Sequence, residues 1–444
     1  MWPPSKGRRL TDAQTASPLR RFTRPLIVLA LVVALVAGAA FWQSAQAQNY
    51  EVWSLDQGTD RIHIYADTHE QIAVIDVSPA ALRTVNPDYN PEATRTVPHM
   101  VDFDSQHRFA FIAATAGAAT IVIDTDTREI VAVLETGAGT HMAAVTNDDT
   151  AVWVAAIGAR QLVEIPLDLD ATNPTFAIGR VIDVETLLAD TGFTFPSFSP
   201  VCHDYDRHGR AWITLGPGIT QGGLIVFDPV TAELVHAFDP QAIKANCGIG
   251  FTDDGKTAIA NFSGVFGADV ADEHGVWYLF DVDTFELKDE RDSGGVDAHG
   301  VRRTPNGESF WQVNRGSSNG LVIDAKTFEV VSEFDAGDTP DILDFSVNGR
   351  YVYITQRGPK PLSGDPHVAV GNTPGVLVLD TKDGQVLTRL NPPEVTDADG
   401  DVINDVHGIG VRPQSGSERV VVAAPVFALA TDVEFVSCHL PQSL

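Results

Sequence analysis

The chain has 444 residues, 44% of them hydrophobic and 20% charged, an ordinary composition for a globular protein of one large or two smaller domains. Its 30 basic and 59 acidic residues give a net charge of −29. A field of that sign repels phosphate backbones and anionic lipid, which argues against nucleic-acid binding and peripheral membrane binding, and it attracts cations.

In chain order, the first element is a leader. A basic stretch, SKGRRL to SPLRRFTRP, precedes the apolar run LIVLALVVALVAGAAFW from Leu26 to Trp42, and Ala45 and Ala47 then form an A-x-A-like cleavage signature. Residues 1–47 read as an export signal, with an uncleaved N-terminal anchor as the alternative. In both cases residues 48–444 form one domain outside the cytoplasm, periplasmic or secreted, and only an uncleaved leader would touch the membrane. Three cysteines follow, Cys202, Cys247 and Cys438, too few for a disulfide-dense scaffold.

The segments NYEVWSLDQ, RIHIYA and QIAVIDV (49–77) read as strands. From there one unit recurs: IVIDTDTREIVAVLETG (121–137), LIVFDPVTAELVHAF (224–238), WYLFDVDTFELKDE (277–290), LVIDAKTFEVVSEF (321–334) and VLVLDTKDGQVLTRL (376–390). Each is a strand, an Asp, a short polar turn and an alternating strand. The aspartates at 124, 228, 281, 324 and 380 suit a turn role, because a short carboxylate accepts from nearby backbone amides. A second two-strand unit precedes each of these. Its seven copies begin at HMVDFDSQHR, HMAAVTNDD, CHDYDRHGR, CGIGFTDDGK, HGVRRTPNG, DILDFSVNG and HGIGVRPQSG. Asp-Gly, Asn-Gly and His-Gly pairs mark hairpin turns between short strands. Repeats of this length without helical periodicity predict an all-β, seven-bladed β-propeller. Residues 49–77 would complete the blade begun by VHGIGVRP, joining N- and C-terminal strands, and the surplus RVVVAAPVF and DVEFVSCH leave eight blades as the alternative.

These repeats resemble the YVTN-type bacterial propellers, through NGRYVYITQR (348–357), DDGKTAIANF (253–262) and PHMVDFDSQHRFAFIAAT (98–115). The resemblance covers nearly the whole chain after the leader and implies the fold. It leaves function open, since that family spans binding proteins and relatives of sugar-lactone hydrolases.

The first strand of each propeller blade lines the central channel. Aligned repeats place His99, His141, Cys247, His299, Asp341 and His407 at one position near one mouth. His203 belongs to this ring by a one-residue slip or from two residues further in, since alternate side chains share a face. Imidazole, thiol and carboxylate are the ligand types for zinc, copper or iron. The alternative is a set of structural histidines that bond neighbouring blades or channel water. Cys202 and Cys247 begin adjacent blades, so a disulfide and a free channel thiol are both open. In TDADGDVINDVHG, Asp397, Asp399, Asp401 and Asp405 have a spacing that suits calcium, against the alternative of a solvated acidic loop. No phosphate loop, nucleophile elbow or HExxH helix appears. The sequence therefore predicts a binding protein whose His-rich channel takes a metal ion or small ligand. A metal-dependent hydrolase or oxidoreductase using the same channel is the alternative, as is a scaffold that binds a protein through blade loops.

Overall fold

The computed structural model describes residues 49–171, 173–216 and 222–414. The leader, Cys438 and the surplus C-terminal strands lie outside the described residues. Among those described, no helix is long and apolar enough to cross a membrane.

Twenty-eight strands form seven four-stranded antiparallel sheets. Blade one holds β4 (Pro98–Phe103), β5 (Phe109–Ala114), β6 (Ala119–Asp124) and β7 (Ile130–Leu134). Blade two holds β8 (Thr140–Val145), β9 (Ala151–Ala156), β10 (Gln161–Pro166) and β11 (Val181–Asp183). Blade three holds β12 (Ser199–Tyr205), β13 (Ala211–Gly216), β14 (Gly223–Asp228) and β15 (Glu233–Ala237). In blade four these are β16 (Ile249–Phe251), β17 (Thr257–Phe262), β18 (His274–Asp281) and β19 (Leu287–Val296). Blade five holds β20 (Ala298–Arg303), β21 (Ser309–Asn314), β22 (Asn319–Asp324) and β23 (Val330–Asp335). Blade six holds β24 (Pro340–Phe345), β25 (Tyr351–Gln356), β26 (Gly375–Asp380) and β27 (Val386–Leu390). Blade seven is composite: β28 (Val406–Pro413) is its inner strand, and β1 (Tyr50–Asp56), β2 (Arg61–Ala66) and β3 (Gln71–Asp76) complete it. The described chain is thus an all-β propeller of seven blades, closed by pairing its two ends.

Burial follows position within the blade. The second strands read as nearly unbroken apolar runs, FAFIAA in β5 and AVWVAA in β9, and are buried throughout. Both faces of a blade pack on neighbours, so alternation with polar residues would strand polar groups in a core. In β5, Ile112 joins Trp53 and Ile64 of blade seven, whereas Phe111 joins Val152 and Val154 of blade two. Seven such clusters fill the seven seams. Outer strands have solvent on one side and alternate more; β23 buries only Phe334.

The five repeated aspartates do the turn work expected of them. Asp324 Oδ1 accepts from the amides of Lys326 and Thr327, and Asp124 Oδ1 from those of Asp126 and Thr127. The fifth residue of each turn is left-handed, as at Arg128, Ala232, Phe285 and Phe328.

Closure of the ring concentrates charge. Glu51 of β1, 1% exposed, accepts from Trp53 Nε1 at 2.9 Å, from Arg412 Nε of β28 at 2.9 Å and from Arg128 of blade one at 2.9 Å. Burial opposes ionisation of Glu51, but Trp53 and the two arginines hold its carboxyl below the usual range. A Glu51→Leu change would take from buried Arg412 its nearest anion, with Asp126 remaining at 3.8 Å. The expected loss is about 3–5 kcal/mol in urea unfolding, and a loss below 1 kcal/mol would show that this carboxylate does not secure the closure.

Candidate functional site

Each inner strand begins near the axis, and four begin with the same backbone device. Val97, Gly139, Asp297 and Thr339 are left-handed, each two residues ahead of a ring position. For β-branched Val97 and Thr339 that conformation is strained, which fits a place where the fold must aim a side chain. The next residue but one then faces the axis: His99, His141, His299 and Asp341. Inner strands also crowd one another. A Cβ on Gly408 would lie 2.2 Å from the His99 carbonyl oxygen, on Gly300 2.6 Å from that of Asp341, and on Gly248 2.7 Å from that of His299. The His-Gly pairs at 299–300 and 407–408 are therefore strand positions in which glycine admits the neighbouring blade, contrary to the hairpin-turn reading. His208-Gly209, by contrast, is a true turn.

The histidines converge. His99 and His407 stack with ring centroids 3.7 Å apart, and the His99 and His141 centroids are 4.1 Å apart. Hydrogen bonds sort them into two groups. Gln57 Oε1 accepts from Ser363 Oγ at 2.9 Å, so its Nε2 donates to His99 Nδ1. His141 Nδ1 donates to the Val201 carbonyl at 3.0 Å, which leaves His141 Nε2 to accept from His99 Nε2 at 2.8 Å. Gln57, His99, His141 and Val201 form one relay, and it occupies all four ring nitrogens.

His407 differs. Its Nδ1 donates to the His99 carbonyl at 3.0 Å, so its Nε2 carries a lone pair, and that atom faces Asp341 Oδ1 at 3.6 Å. His299 Nε2 lies 2.9 Å from the same oxygen. These three donor atoms lie within 4.8 Å of one another. Asp341 is fully buried; its Oδ2 receives Arg357 at 2.6 Å, and Arg315 approaches both oxygens at 3.3 Å. Arg357 continues to Asp405 through two contacts of 2.8 Å, and Arg315 to Asp297 at 2.6 Å.

Burial holds His99 and His407 well below the ordinary imidazole range and brings His141 and His203 down to about 4. For His299, burial and then Arg315 oppose protonation, but Cys247, Asp341 and Asp297 together raise it. Burial likewise opposes ionisation of Asp341, yet the surrounding cations keep it well below the carboxylate range. Three carboxylates, at 297, 341 and 405, thus face two guanidiniums and one imidazolium.

Blade three departs from the expected ring. Its register places Val201 at the ring position and His203 where Leu343 and Val301 stand in blades six and five. The alternation argument fails because the strand pairing slips between Pro200 and His203, a bulge shared by β4, β8, β20 and β24. His203 turns into the seam and its Nε2 donates to the Trp153 carbonyl at 3.0 Å. Cys247 does take the ring position of blade four. It is 4% exposed, and its thiol interacts with Cys202 and His299. Both cysteines are free thiols, so of the two alternatives this structure holds the free thiol and not the disulfide. The acidic loop does not gather its four aspartates. Asp397 and Asp401 close on the Lys360 ammonium at 2.6 and 2.8 Å, which fills the place of a cation, and Asp405 has left for Arg357.

Sequence reasoning missed Gln57, Asp297, Arg315 and Arg357. The arginines had a signal, since QVNR and ITQR end the second strands of blades five and six alike.

No protein-family model and no curated protein matches the chain. Solved structures do. Kuenenia stuttgartiensis hydrazine synthase is similar over 66% of this chain and 86% of that one, at 15% identity and TM-score 0.52. The Dos1 propeller covers 82% and 89%, at 13% identity and TM-score 0.51. Dihydro-heme d1 dehydrogenase NirN, in complex with DHE, covers 81% and 74% at 12% identity and TM-score 0.47. At such identities the first two show the fold alone, and the class is that of β-propeller proteins.

The buried imidazoles set an acid response. His141 and His203 titrate near 4 when folded and near 6.5 when unfolded. Within that window the unfolded chain binds more protons, so stability falls as pH drops from about 6.5 to about 4, by about 3 kcal/mol for each residue. Urea midpoints across this range should show the fall, and His203→Gln should flatten it. An unchanged slope in that variant would place the acid response elsewhere.

Proposed function

We propose that the protein binds a divalent transition-metal ion on the propeller axis through His299 Nε2, Asp341 Oδ1 and His407 Nε2. One observation carries the reading. The His407 Nε2 lone pair faces a carboxylate oxygen at 3.6 Å, so two acceptors oppose each other, and burial holds the ring neutral there. A cation resolves that opposition.

The geometry supports it. Metal–ligand bonds of about 2.0 Å in a tetrahedron separate ligands by about 3.3 Å. The two separations from Asp341 Oδ1, 2.9 and 3.6 Å, bracket that value. The Nδ1 bond of His407 to the His99 carbonyl fixes the tautomer that presents Nε2, the usual support for a metal-bound imidazole. His99 and His141 then brace the site through their relay instead of ligating. His299, 16% exposed in its side chain, marks the approach from the channel.

Three protein ligands leave a coordination position free for a small ligand, so a binding protein is the first reading, and a metal-dependent hydrolase or oxidoreductase uses the same vacancy. The N-terminal leader supports action outside the cytoplasm, where an acidic protein gathers cations.

Protein purified without chelators or affinity nickel should contain about one equivalent of zinc, copper or iron. His299→Ala combined with His407→Ala should abolish it, whereas His203→Ala should retain it. Full metal content in the double variant, or none in the native protein after reconstitution, would overturn the assignment.

A further inference from the structure

Cys202 and Cys247 sit where the metal reading has no use for a pair of thiols. They belong to neighbouring blades, and one hydroxyl holds both backbones: Thr214 Oγ1 bonds the carbonyls of Cys202 and Cys247, each at 3.2 Å, and accepts from the Cys202 amide at 3.1 Å. A second anchor ties Cys247 to the axis. Asn261 receives the Cys247 amide on its carbonyl and donates through Nδ2 to the His299 carbonyl at 3.1 Å. The Cys247 thiol interacts with both Cys202 and His299. Cys202 is part-exposed, whereas Cys247 is buried.

Position gives this placement a consequence. An ion held by His299, Asp341 and His407 would lie beside the ring position of blade four, which Cys247 occupies, and Asn261 ties the Cys247 and His299 backbones together. A cysteine sulfur is a strong ligand for zinc or copper.

We propose that Cys202 and Cys247 form a reversible dithiol–disulfide couple, and that its state sets the affinity of the axial site for metal. The proposal rests on the metal reading above. The oxidant is a small-molecule disulfide, RSSR. The part-exposed Cys202 thiolate attacks one sulfur, forming Cys202–S–SR and releasing RS⁻, which takes up the Cys202 proton. The Cys247 sulfur then attacks the Cys202 sulfur, breaking the S–SR bond, and the Cys247 proton leaves with the second RSH. Two protein thiols are oxidised and one RSSR is reduced to two RSH. An excess of RSH reverses both steps. In the dithiol state Cys247 is available to take the coordination position that the three protein ligands leave free, and in the disulfide state that position is left to a small ligand. The Thr214 anchor holds the two backbones together in both states.

The test uses the full chain carrying Cys438→Ser, so that only this pair responds, with Co²⁺ as the probe. The protein is equilibrated in reduced and oxidised glutathione buffers, the bridge is mapped by mass spectrometry, and Co²⁺ is titrated into each form. The expected result is a Cys202–Cys247 bridge that forms and reverses with the buffer. The reduced form should show a sulfur-to-cobalt charge-transfer band, and the oxidised form should lack it and bind Co²⁺ at least tenfold more weakly. Cys247→Ser should lose the band. Cys202→Ser should keep it and bind with the same affinity in every buffer. Co²⁺ binding without any Cys202–Cys247 bridge, or with equal affinity in both states, would overturn the redox proposal and leave the metal site standing. No Co²⁺ binding in either state would overturn both.

Discussion

The axis of this propeller depends on keeping one carboxylate ionised where almost no water reaches it. Asp341 is fully buried, and a carboxylate in that position survives only if charged and hydrogen-bonding partners replace its lost hydration. Arg357, Arg315 and His299 do so from blades five and six. The arginines in turn require Asp405 and Asp297, and Arg357 also reaches the carbonyl of Ser363, drawing the loop after β25 onto the axis. One buried charge therefore recruits its partners from three blades. A fold of nearly equivalent blades acquires an unequal centre: ions in blades five to seven, paired imidazoles in blades one and two, and thiols in blades three and four.

This inequality explains how far the sequence could be read. The blades were legible because each repeat must solve the same packing problem. A strand sandwiched between two neighbours is apolar on both faces, the turn behind it needs an Asp to collect loose amides, and the outer strand alternates. Those constraints produced IVIDTDT, LVIDAKT and VLVLDTK at equivalent places in their blades. The ring position was legible for the same reason, since the start of every inner strand is equivalent, and the strand registers put His99, His141, Cys247, His299, Asp341 and His407 at matching places in their blades.

What could not be read depends on departures from regularity. His203 was assigned to the ring by a one-residue slip or by alternation, but a bulge after the ring position turns it into the seam and leaves Val201 on the axis. Asp405 looked like one of four oxygen donors in a single acidic loop, yet a long-range ion pair with Arg357 outweighs its local pattern. Lys360, distant in sequence, occupies the rest of that loop. The division of the histidines into a relay and an exposed lone pair has no sequence signal at all. It follows from which carbonyl lies within reach of which Nδ1, and so from the spacing of strands in different blades.

The composite seventh blade carries a further consequence, in the timing of assembly. Its inner strand β28 is the last described strand to leave the ribosome, and it pairs with β1, the first described. That same strand delivers His407, and the residues just ahead of it deliver Asp405. A nascent chain can therefore build blades one to six while its axis still lacks an imidazole and the anion that steadies Arg357. Completion of the centre and completion of the ring are therefore one event.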